Sequence, residues 1–83
     1  MDFMLEEELI DLMTFCLQNP ESPETATKKK RITEIGQELF LDGGIDALEN
    51  FFFSIKNRIK GEIEKDPSPL RPLWNGLTPE WEY

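Results

Sequence analysis

The chain has 83 residues, a net charge of -8, a single cysteine and no histidine. That length allows one domain, with a core only marginally large enough to hold itself together. A hydrophobic share of 39% and nine aromatics exclude a disordered chain despite the charge, and the missing histidine removes the commonest general base and metal ligand.

Glu6, Glu7 and Glu8 follow the opening Met1, Asp2, Phe3 and Met4, the reverse of the positively charged start of a secretory signal. No stretch approaches the roughly 18 uninterrupted apolar residues of a membrane span. One cysteine, Cys16, cannot form an internal disulfide, and a buried reduced thiol in an apolar helical pattern suits a cytoplasmic protein.

The first predicted helix covers about residues 2 to 18, with Leu5, Leu9, Leu12, Met13, Cys16 and Leu17 on one face and Ile10 widening it. Glu7, Glu8, Asp11, Thr14 and Gln18 make the opposite face, which Met4 and Phe15 interrupt. Asn19, Pro20 and Glu21 then break the pattern. Ser22, Pro23 and Glu24 restart it with a cap, a first-turn proline and a favourable charge.

The second helix, about 23 to 42, places Ile32, Ile35, Gly36, Leu39 and Phe40 at the i, i+3, i+4, i+7, i+8 positions of an apolar stripe. Gly36 on that stripe costs about 1 kcal/mol relative to alanine, which implies close approach of a bulky side chain, here expected to be a phenylalanine. Asp42, Gly43 and Gly44 end the helix. A third helix, about 45 to 65, restarts with Ile45, Leu48, Phe51, Phe52, Ile55, Ile59 and Ile63, so a short Gly-Gly turn makes helices two and three an antiparallel hairpin. From Asp66 onward Pro67, Pro69, Pro72 and Pro79 prevent a long helix. The tail, 66 to 83, is expected to be mostly extended, with a turn at Asn75 and Gly76 and a last helical turn at Thr78 and Pro79. Leu70, Leu73, Trp74, Leu77 and Trp81 make it too apolar to be a solvated appendage.

The fold expected is therefore an all-α, three-helix domain with a Pro- and Trp-rich tail docked over the hairpin. An exchanged dimer that lends helix one to a second subunit has the same sequence pattern.

Charge is uneven along the chain. Residues 1 to 21 carry six acids and no bases, whereas residues 22 to 42 and 43 to 65 carry four of each. Carboxylates early in a helix complement its dipole, and they also offer an acidic face, Glu6 to Asp11, to a basic surface on a partner. The run Lys28, Lys29, Lys30 and Arg31 is spread around the helix circumference, with Lys30 placed to pair with Glu34, and has no interleaved aromatic platform. Neither nucleic acid nor a membrane surface is an expected partner.

Chemistry is largely excluded, so no catalytic, cofactor or metal site is expected. Cys16 has no histidine to activate it, no cysteine pair exists for zinc, and Gly43-Gly44 lacks the spacing and the lysine of a phosphate-binding loop. Carboxylate pairs such as Glu6 with Glu7 or Glu62 with Glu64 have no pocket implied around them.

The aromatic set carries what functional signal there is. Successive helical residues point about 100° apart, so Phe51 and Phe52 join the apolar arc while Phe53 points away, among Asp46, Glu49, Lys56 and Lys60. Two readings follow. The tail folds back and covers Phe53 with Trp74 or Trp81; alternatively Phe53, with Phe15 or a tryptophan, forms an exposed anchor for a protein partner or a second copy. The expected function is a small acidic helical interaction or adaptor module with candidate contact residues Phe53, Phe15, Trp74, Trp81, Glu7, Glu8 and Asp11.

Overall fold

A computed structural model describes residues 3 to 81. The chain forms helix α1 (Phe3–Gln18), helix α2 (Pro23–Ile63) and a 3₁₀ helix (Ser68–Trp74), with no strand among the described residues. The start of the first predicted helix at residue 2, and the last two residues of the predicted tail, lie outside the described residues.

The connection from α1 to α2 is closed by short-range polar bonds. Both the backbone N–H and the side-chain amide of Asn19 donate to the Phe15 carbonyl, at 2.8 and 3.2 Å, which satisfies an orphan acceptor at the end of α1. Ser22 has extended geometry (φ -68, ψ 140), its hydroxyl accepts from the Glu24 N–H at 3.2 Å, and Pro23 follows in the first turn. The hydroxyl of Thr25, a buried residue, donates to the Asn19 carbonyl and ties the two helix ends together.

Helix α2 continues through Asp42 and Gly43, with non-helical geometry at Gly44 alone (φ 70, ψ -157). A positive φ of this kind is open to glycine at little cost. The second arm ends at Ile63, two residues short of the expected end, where Glu64 adopts left-handed geometry (φ 57, ψ 31) and its N–H reaches the Lys60 carbonyl. A straight helix of 41 residues would be about 61 Å long, yet the whole molecule measures 30 Å along its longest axis. The arms at residues 23–43 and 45–63 are therefore not collinear.

Both arms and α1 feed one core. Leu9, Ile10, Met13 and Cys16 from α1 join Ile32, Ile35 and Leu39 from the first arm and Leu48, Phe51, Phe52, Ile55 and Ile59 from the second, all buried. Burial pushes the Cys16 thiol up from its ordinary range, against the opposing pull of Lys29 and Lys28.

The tail differs from expectation. Residues 68–74 coil into a 3₁₀ helix instead of running extended, because the proline φ near -65° suits a 3₁₀ turn as well as an extended chain. Asp66 starts it by accepting from the Ser68 N–H at 2.9 Å and hydroxyl at 2.6 Å, and these bonds hold the Asp66 carboxyl below its usual range. Bonds from Leu70 N–H to Pro67 and from Asn75 N–H to Pro72 sustain the coil. Gly76 takes positive φ (92) at the expected turn, and a single turn closes from Trp81 N–H to the Thr78 carbonyl.

This coil delivers Leu70, Trp74 and then Trp81 into the core, each buried. The side chain that approaches Gly36 is Trp74, not a phenylalanine: a Cβ on Gly36 would lie within 2.7 Å of the indole Cε2. The aromatic payload came from the tail, 38 positions along the chain, where helical periodicity carries no information. Trp74 Nε1 donates to the Ile32 carbonyl at 2.9 Å, so the indole is fixed by a bond as well as by contact.

Replacing Gly36 with alanine is expected to destabilise the fold by about 1–3 kcal/mol through overpacking, although alanine is the better helix former. Urea denaturation followed by tryptophan fluorescence measures it; unchanged stability would mean that the tail is not seated on α2.

Candidate functional site

The tail settles which phenylalanine it covers. Phe52 makes edge-on contacts with Trp74 (5.9 Å between centroids) and Trp81 (6.0 Å), and the two indoles lie 5.3 Å apart. The Arg71 guanidinium stands over the Phe52 ring at 5.0 Å and the Trp81 ring at 5.2 Å. Trp81 Nε1 donates to the Arg71 carbonyl at 2.8 Å, locking the tail onto itself. Thus Trp74 and Trp81, both proposed contacts, are buried in the core.

Phe53 is left at the surface, 67% exposed, so the expectation that a tryptophan covers it is overturned. A step of about 100° separates it from Phe52, enough to carry one ring under the tail and the next into solvent. Around it lies a shallow groove of about 350 Å³ lined by Glu49, Asn50, Phe52, Phe53, Lys56 and Arg71. This groove runs between the second arm of α2 and the tail.

Phe15, the second aromatic candidate, is half-buried with the Lys28 ammonium 4.8 Å from its ring centroid. Its ring is therefore partly used within the chain, and Phe53 is the more open of the two.

The acidic face is likewise used internally. Glu8 takes a bidentate pair of bonds from Arg31, Nε to Oε2 at 2.7 Å and Nη2 to Oε1 at 3.1 Å. Arg58 Nη1 donates to Glu7 at 2.8 Å and lies 3.9 Å from Glu6, which is buried and also accepts from the Ser54 hydroxyl at 3.2 Å. Only Asp11 of the proposed acidic contacts stays fully at the surface. Arg31 also stands 3.7 Å from Glu34 and 3.8 Å from Glu38, taking the role expected of Lys30, because its longer planar fork spans α1 and α2 together. These arginine bridges tie α1 to both arms of α2.

A second opening, of about 410 Å³, is lined by Leu5, Glu38, Leu39, Asp42, Ala47, Asn50 and Phe51. It lies beside the Gly44 break and draws on α1 and both arms. Among the described residues, Leu41 (86%) and Met4 (81%), each next in sequence to a lining residue, are the other large apolar side chains left exposed. Among the described residues no cluster of three potential metal ligands occurs, and no helix is long and apolar enough to cross a membrane.

No protein family, curated protein or solved structure gives a match to this chain.

The Arg31 bond holds the Glu8 carboxyl below its usual range. A carboxyl depressed in the folded state adds stability that is present above its unfolded value, near 4.5, and is lost as pH falls through the folded one. Thermal melts between about pH 7 and pH 3 are expected to show this loss, and Glu8→Gln to lower stability at pH 7 while flattening the acid limb. An acid limb of unchanged slope in Glu8→Gln would show that the bridge does not carry the dependence.

Proposed function

We propose that this chain is a small helical protein-interaction module that engages a protein partner through Phe53. The observation that carries the reading is the 67% exposure of Phe53 after the tail has buried the adjacent Phe52. A large aromatic left in water, at the rim of a groove with polar and charged flanks, is the composition of an interface anchor. The reading takes the two arms of α2 as an antiparallel hairpin turned at Gly43 and Gly44, which would hold Phe53 on a rigid helix rather than on a mobile loop. A reducing cytoplasm suits the single buried thiol of Cys16, and an adaptor role needs no catalytic chemistry.

A photoreactive benzoyl-phenylalanine at position 53, expressed in the native host, tests this. Discrete protein adducts are expected, suppressed by excess wild-type chain but not by Phe53→Ser; the same probe at exposed Leu41 is the control. Adducts at 53 no stronger than at 41 would overturn the reading. Phe53→Ser should leave the melting temperature nearly unchanged, whereas Phe52→Ala should cost about 3–5 kcal/mol.

A further inference from the structure

The residues that share the Phe53 face form a self-complementary series. Counting about 100° per residue, Asp46, Glu49, Asn50, Lys56, Asn57 and Lys60 all fall within about 60° of Phe53 on the second arm of α2. All are at the surface except Lys56, which is half-buried. The acids lie on the amino-terminal side of Phe53 and the bases on the carboxyl-terminal side, at nearly matching offsets: 46 and 60 are seven positions away, 49 and 56 four and three, and 50 and 57 three and four.

Some charges elsewhere on the molecule are satisfied within the chain, although Asp11, Glu24, Asp42, Lys29 and Lys30 are exposed and stand in no ion pair among the described residues. Glu6, Glu7, Glu8, Glu34, Glu38 and Glu62 stand in ion pairs with Arg31 or Arg58. Among the described residues, Asp46, Glu49, Lys56 and Lys60 take part in no ion pair. Asp66 sits at the edge of this face, near enough for the Lys56 and Lys60 charges to act on it, but without direct pairing.

We infer that the Phe53 face is occupied by a second copy of this chain, with the two second arms crossing antiparallel about a two-fold axis at Phe53. A two-fold of this kind carries each residue to the opposite end of the facing helix on the same lateral side. Glu49 then meets the partner copy's Lys56, Asp46 meets its Lys60, Asn50 meets its Asn57, and the two Phe53 rings pack at the centre. A parallel crossing would set acid against acid and base against base, so the charge order selects the antiparallel one. The inference rests on the reading of Phe53 as a protein anchor. An arm of 19 residues offers a face about 28 Å long and one helix wide, smaller than the roughly 800 Å² per partner of a standard stable interface. The dimer is accordingly weak and concentration-dependent.

Sedimentation equilibrium of the full chain from about 1 μM to 1 mM tests it. A reversible monomer–dimer equilibrium is expected, with the dissociation constant raised about tenfold or more by Phe53→Ser. Glu49→Lys and Lys56→Glu should each weaken self-association. The double variant E49K/K56E should restore it, and an equimolar mixture of the two single variants should form a heterodimer. Asp46→Lys and Lys60→Glu repeat the same scheme independently, and circular dichroism confirms that each variant is folded. A strictly monomeric wild type, or folded single variants that dimerise unchanged, would overturn the inference, as would a double variant no better than the singles. Adducts from position 53 to a different protein, with the chain itself monomeric, would defeat self-pairing while leaving Phe53 as an anchor.

Discussion

Trp74 seated on Gly36 is the contact on which the rest of the fold depends. Helix α1 and the two arms of α2 supply a core of modest size, and a chain this short buries a smaller share of its surface than larger domains do. The tail completes it. A tryptophan buries on the order of 150–250 Å², so Trp74 and Trp81 together add a contribution comparable to several aliphatic side chains. Such an addition requires space that an ordinary helix face would not leave. Gly36 provides that space, and the Ile32 carbonyl one turn earlier provides an acceptor for the indole N–H. Without both, a buried tryptophan would either clash or leave a polar group unsatisfied.

That seat also explains the division of labour among the three phenylalanines. Phe51 faces the core shared with α1 and Phe52 faces the tail. Both faces of the arm are then full, and Phe53 has only solvent to meet. The arginines complete the pattern from the outside: Arg31 and Arg58 join α1 to α2, drawing the amino-terminal carboxylates inward. Three of the six acids among residues 1 to 21, Glu6, Glu7 and Glu8, are thus taken up in bridges within the fold.

Much of the architecture was legible from the residues because helical periodicity and capping chemistry are local. The Ser22-Pro23-Glu24 start and the core positions of both arms follow from side-chain spacing alone. The tail was not legible in the same way. Prolines exclude a long helix but do not choose between an extended chain and a 3₁₀ coil, since both accept the same φ. Which phenylalanine the tail would cover depended on tertiary contact, and only the missing side chain at Gly36 hinted that some large ring would arrive. The partners of Glu7 and Glu8 were hidden for a related reason: Arg31 and Arg58 lie 23 and 51 positions away, beyond the reach of any i, i+4 rule.

The separation between Ile32 and Trp74 is 42 positions, and this has a bearing on the order in which the molecule assembles. Contacts within each helix, and those across the short 19–22 connection, form locally and fast. The indole seat instead closes a long loop, at an entropic cost that nothing repays until the ring arrives. On a ribosome, the groove along Gly36 and Phe52 would stand open until Trp74 has been made and has emerged. For that interval the nascent chain exposes an apolar cleft that the finished protein never shows, a surface that chaperones and premature self-association both recognise.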